Sequence, residues 1–69
     1  MGLYLDVLTA ECRERAWSWR LEYSEVENTY YAEASGCGKG KFVEVKRAST
    51  IEDAIYRLLR RVRDWTPPK

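Results

Sequence analysis

The sequence contains no histidine. That removes the commonest general base, the commonest metal ligand and the side chain whose charge changes most readily near neutral pH. Cysteine is sparse, with only Cys12 and Cys37. Two thiols cannot complete a four-ligand zinc site, nor do they make the framework of a small secreted scaffold. Both read as free thiols, with a Cys12–Cys37 bridge left open. No stretch approaches the roughly 20 apolar residues of a membrane span. The start, Met1-Gly2-Leu3-Tyr4-Leu5-Asp6, has neither the basic region nor the apolar run of a signal peptide. Gly2 invites a myristoylation reading, but that motif wants Ser or Thr where Asp6 stands. The expectation is a cytoplasmic protein with no membrane association and no cofactor. An excess of charge is also missing, since 12 basic residues face 11 acidic ones. Net charge therefore selects neither a polyanionic nor a polycationic partner.

What is present suits one domain spanning 1–69. A domain of this size buries only about 60% of its unfolded surface. It needs a dense core, and three Trp, five Tyr and 45% hydrophobic residues supply the material. Residues 3–16 read as a helix, because Leu5, Leu8, Cys12 and Ala16 recur at three- and four-residue spacing. Glu11 and Arg15 sit four apart on its wet side. From Trp17 the period becomes two. Trp17, Trp19, Leu21 and Tyr23 alternate with polar residues, which predicts a half-buried strand. After the polar turn Glu25–Asn28, the stretch Thr29–Ser35 alternates again, with Tyr30, Ala32 and Ala34 inward. Gly36-Cys37-Gly38-Lys39-Gly40 reads as a loop. A third strand follows over Phe42–Arg47, with Val43 and Val45 inward.

The last helix, over residues 50–65, carries the clearest signals. Ser49 and Thr50 each have an acid three positions on, a capping-box pattern. Ile51, Ala54, Ile55, Leu58, Leu59, Val62 and Trp65 form one apolar face. Acids open the helix and arginines crowd its later turns, as the helix dipole favours. Pro67 and Pro68 stop it, leaving 66–69 as a tail. The expected fold class is α+β, in the order α-β-β-β-α. A three-stranded antiparallel sheet over 17–47 should have both helices on one face. Ser18, Arg20, Glu22, Tyr31, Glu33, Phe42, Glu44 and Lys46 would then line the open face.

Four places could carry chemistry. The glycine-rich loop looks faintly like a phosphate cradle, but Gly40 stands where Ser or Thr should follow Lys39, and no helix follows the loop. Cys37 lies near Lys39 and Lys41, yet no histidine exists to serve as its base. The chain is therefore expected not to be an enzyme. Arg57, Arg60, Arg61 and Arg63, with Lys46 and Arg47 upstream, could hold phosphates. Asp53 and Asp64 offset part of that charge at helical spacing. On the open face, Glu22, Glu33 and Glu44 contribute one acid per strand, and from Glu22 to Glu33 there are four acids and no base. With Tyr31 and Phe42 among them, this face suits a basic protein partner.

Three resemblances follow from these residues. The order α-β-β-β-α resembles that of double-stranded RNA-binding domains. Their second helix begins with lysines, whereas this one begins Ser49-Thr50-Ile51-Glu52-Asp53, which would repel phosphates. Tyr30-Tyr31-Ala32-Glu33-Ala34, then Gly36-Cys37, then Ser49-Thr50-Ile51-Glu52-Asp53-Ala54-Ile55 looks like HicB-type antitoxins over residues 20–65. That family's Pro-Asp-x-Pro segment before Gly-Cys is absent. The likeness implies an antitoxin that neutralises a toxin RNase. The size, aromatic content, charge and lack of an enzyme motif resemble small phage and prophage inhibitors, anti-CRISPR proteins among them. This implies that the chain binds and blocks a host protein or ribonucleoprotein complex in the host cytoplasm, through the open sheet face and the arginines of the last helix. Direct nucleic-acid binding and a homodimer stay open as alternatives.

Overall fold

The structure, a computed structural model, describes residues 3–67. The readings placed on Gly2, and on Pro68 and Lys69 of the tail, lie outside the described residues. The chain runs α1 (Leu3–Glu14), β1 (Trp17–Ser24), β2 (Thr29–Gly36), β3 (Phe42–Ala48) and α2 (Ile51–Asp64). The strands form one antiparallel sheet in the order β1-β2-β3. This is the expected α+β arrangement, with the sheet open on one side.

Each helix end has a local cause. At α1, Ala16 adopts a left-handed conformation (φ 57°) and its N–H donates to the Arg13 carbonyl. The helix closes at Glu14, two residues before the expected end, and Ala16 is exposed rather than part of the apolar stripe. At α2, the Thr50 hydroxyl accepts from the Asp53 N–H at 3.0 Å, so Thr50 is the cap and not Ser49. Trp65 lies just past the helix, and its N–H reaches the Val62 carbonyl. Ile51, expected in the core, is 42% exposed because it sits on the first turn, before the helix reaches the sheet.

Both helices pack on the same sheet face. Tyr4 meets Tyr56 edge to face at 5.1 Å, and Glu11 accepts from Arg63 at 3.2 Å. Both pairs are 52 positions apart, so the two helices run parallel. Beneath them the core gathers Leu8 and Cys12 of α1, Ala54, Ile55, Leu58, Leu59 and Val62 of α2, and Trp17, Ala32, Ala34, Val45 and Ala48 of the sheet. Burying each large aliphatic contributes about 1.5–3 kcal/mol. Cys12 and Cys37 are both free, one buried and one exposed. Burial pushes the Cys12 thiol above its ordinary pKa.

Two departures from strict alternation matter. Tyr23 points to the helix side but is 50% exposed, because the β1–β2 hairpin extends beyond the helices. Its ring packs on Tyr30 at 5.0 Å and its hydroxyl donates to Asn28 Oδ1 at 2.7 Å. In β3 the register slips between the partners of Tyr30 and Ala32. Lys46 and Arg47 are both exposed there, Arg47 with φ 58°, and Ala48 returns to the core. This is a β-bulge, and it carries the sheet to Ala48 rather than ending it at Arg47.

The glycine-rich loop is fastened at its base. Trp17 and Trp65 meet edge to face at 5.3 Å, and the Trp65 indole N–H donates to the Gly40 carbonyl at 2.9 Å. Trp17 lies over its strand partner Gly36, where a Cβ would land 2.5 Å from the indole Nε1.

Candidate protein-binding face

The open face is built from the alternate residues of all three strands. Its central row is Arg20, Glu33 and Glu44, directly opposite one another across the sheet. Two like charges facing across a ladder repel, and the neighbouring row supplies the remedy. Tyr31, beside Glu22 in the register, places its hydroxyl 3.0 Å from Glu33 Oε2 and 2.8 Å from Glu44 Oε2. One O–H donates towards both carboxylates. Arg20 pairs with Glu33 from the other side and with Glu22 at 3.0 Å. Lys46 approaches Glu44 at 3.4 Å.

The protonation tendencies follow from these contacts. The Tyr31 hydroxyl is pushed well above the ordinary tyrosine value, first by its hydrogen bond to Glu44, then by burial and by Glu33. Glu44 is held below the usual carboxylate value, first by Tyr31 and then by Lys46, with the Arg61 charge adding to it and burial opposing. The Arg20 guanidinium is pushed up by Glu33, then by Glu22. Each of the central charges is thus already paired within the face. Cations Arg20, Lys46 and Arg47 stand among acids Glu22, Glu33 and Glu44, so this surface is a mixed-charge one rather than the acidic one expected. Phe42 lies at one end of the face, opposite Ser35 and 48% exposed. At the other end, Ser24, Glu27, Thr29, Tyr31, Lys46 and Arg47 line a hollow of about 390 Å3.

The arginines of α2 are elsewhere, on the helical layer. Arg57 pairs with Asp53 at 3.2 Å, as helical spacing predicts. Arg60 donates to the Tyr56 hydroxyl at 3.2 Å, which raises its pKa. Arg63 turns to Glu11 of α1. That contact and the stronger one from Arg15 hold Glu11 below its ordinary value. Tyr56, Arg57, Arg60, Arg61 and Asp64 line a shallow groove of about 280 Å3. Asp64 makes no ion pair among the described residues, although its charge acts on Arg60. The residues expected to bind a partner therefore occupy two surfaces. Arg20, Glu22, Tyr31, Glu33, Phe42, Glu44 and Lys46 share the open sheet face. Arg57, Arg60, Arg61 and Arg63 lie on the helix side, and only the charge of Arg61 reaches round to Glu44.

Arg47, expected beside the helix arginines, instead lines the open-face hollow with Lys46 and Tyr31. Uninterrupted alternation after Val45 would have turned it inward. The signal lies in Lys46-Arg47-Ala48, since strict alternation would turn the cation Arg47 inward and the small apolar Ala48 outward. No group of three or more potential metal ligands occurs among the described residues, and no described helix is long and apolar enough to cross a membrane. No protein-family model, curated protein or solved structure matches this chain. The resemblances drawn from the sequence rest on the residues that carry them.

Proposed function

We propose that this chain is a non-enzymatic protein-binding inhibitor that captures a host protein or ribonucleoprotein complex on its open sheet face, in the manner of anti-CRISPR proteins. The observation that supports the reading is the Tyr31 bridge between Glu33 and Glu44 on an uncovered sheet. It holds an aromatic and two carboxylates in place before any partner arrives, which lowers the cost of ordering them on binding. Mixed charge around Tyr31 and Phe42 suits a protein surface, where aromatic anchors carry much of the energy. Three carboxylates on the same face disfavour a phosphate backbone.

The test is phage plaquing on a host whose CRISPR system targets that phage. The expected result is restored plaquing with the native chain and loss of that rescue with Phe42→Ala or Glu22→Lys. Absence of rescue by the native chain would remove the anti-CRISPR reading, and co-expression with toxin RNases would then test the antitoxin alternative. If Phe42→Ala and Glu22→Lys both rescue fully, the sheet face is not the contact.

A second reading uses the other side. The groove between Tyr56, Arg57, Arg60 and Arg61 has the donors to hold phosphate oxygens. Filter binding that weakens steeply with salt, and is lost in Arg60→Ala with Arg61→Ala, is its signature.

A further inference from the structure

The two edges of the sheet are treated differently. At β3 the bulge and the adjacent cations Lys46 and Arg47 disrupt the strand, a common way of blocking edge-to-edge pairing. The β1 edge has no bulge, and its two charges, Arg20 and Glu22, are of opposite sign. It pairs with β2 without a slip from Trp17↔Gly36 to Ser24↔Thr29, contains no proline or glycine, and has no strand on its outer side. On its helix-facing side apolar surface is left over, with Trp19 and Leu21 half-buried and Tyr23 half exposed.

The β1 sequence is chemically symmetric about Leu21. Ser18 mirrors Ser24, Trp19 mirrors Tyr23, and Arg20 mirrors Glu22. We propose that the β1 edge binds a second copy of this chain, the two β1 strands running antiparallel about a two-fold axis at Leu21. In this register Arg20 faces Glu22 of the second copy, and Glu22 faces its Arg20. Trp19 faces Tyr23, and Leu21 faces Leu21.

Backbone chemistry and charge favour that register over its two neighbours. Only alternate residues of a strand present their N–H and C=O to a given edge, so a two-fold pairing must centre on a residue rather than between two. Centring on Arg20 would set Arg20 against Arg20, and centring on Glu22 would set Glu22 against Glu22. Directly opposed like charges destabilise the pairing, whereas opposite charges and aromatic pairs stabilise it. The product is a continuous six-stranded sheet with all four helices on one side and the two open faces joined on the other. The contact is isologous and closes on itself. It does not depend on the inhibitor reading.

Analytical ultracentrifugation over a concentration series tests the proposal. The native chain should show a monomer–dimer equilibrium. Arg20→Glu leaves two acids on that stretch and Glu22→Arg leaves two cations. Each variant alone should lose self-association by about tenfold or more, since two attractive pairs become repulsive. Mixed one to one, the two variants should form a heterodimer, because every acid again meets a cation. Circular dichroism of each variant checks that it is folded, and the heterodimer result does not depend on either one associating by itself. A native chain that stays monomeric throughout overturns the proposal. So does a dimer that survives both single changes, or a mixture that fails to associate.

Discussion

Strand β2 has two faces built on opposite logic. Towards the helices it presents Ala32 and Ala34, essentially without exposed surface. Towards solvent it presents Tyr31, Glu33 and Ser35. The inner residues are small, so the helices come close and Leu58 and Val62 fill the space. Size decides what fits there, because a packed interior tolerates little change in volume. Tyr31 and Glu33 outside are large and polar, and hydrogen bonds decide where they stand. One strand thus carries the stability on one side and an ordered polar surface on the other.

The largest effects should come from the inner face. Leu58→Ala removes a fully buried side chain and should cost about 2–5 kcal/mol in urea denaturation. That rivals the total stability of a small domain, about 5 kcal/mol at the low end. Next comes a pair of neighbours on the same strand. Ala34→Leu overfills the interior and should cost about 1–3 kcal/mol, whereas Ser35→Val, one residue on and facing solvent, should change stability by no more than about 0.5 kcal/mol. Equal costs would erase the difference between the faces.

The outer face should show itself through pH. The Tyr31 hydroxyl keeps its proton more tightly folded than unfolded. Its contribution is whole below the ordinary tyrosine range, about pH 10, and is lost as pH rises from there through the raised value. Glu44 and Glu11 behave in the opposite sense. Their contributions are whole above the ordinary carboxylate range and are lost as pH falls through the lowered values. Thermal melts across pH should therefore fall at both ends, with the alkaline decline shallower in Tyr31→Phe. An unchanged alkaline slope would remove the bridge from the account. Smallest in stability is Phe42→Ala, within about 0.5 kcal/mol, although its loss of partner capture should be large.

The element order, both helices and the Thr50 cap candidate were legible because helical and strand periods are local properties. The features that were not legible depend on distant contacts or on a broken period. The Tyr31 bridge requires Glu33 and Glu44 to be brought into register by two hairpins. Glu11 meets Arg63 only once the helices lie parallel. The exposure of Ile51 and Tyr23 reflects where the covering layer stops, which no spacing rule records. The exposure of Arg47 follows from the bulge, and strict alternation misses it. As for the candidate site, the eight residues expected on the sheet face follow from parity alone, but their internal pairing is hidden in the sequence, as is their separation from the α2 arginines.

The 52-residue interval between the paired positions of α1 and α2 also sets an order of events. Closing a longer loop costs more entropy, though the cost grows only slowly with length, and contacts at such separation slow folding. α1 precedes α2 in the chain, yet Leu8 and Cys12 gain their full cover only when α2 docks beside them. The hairpins can form from neighbouring segments in the meantime. The apolar stripe of α1 is therefore covered only once α2, 52 positions further on, lies beside it.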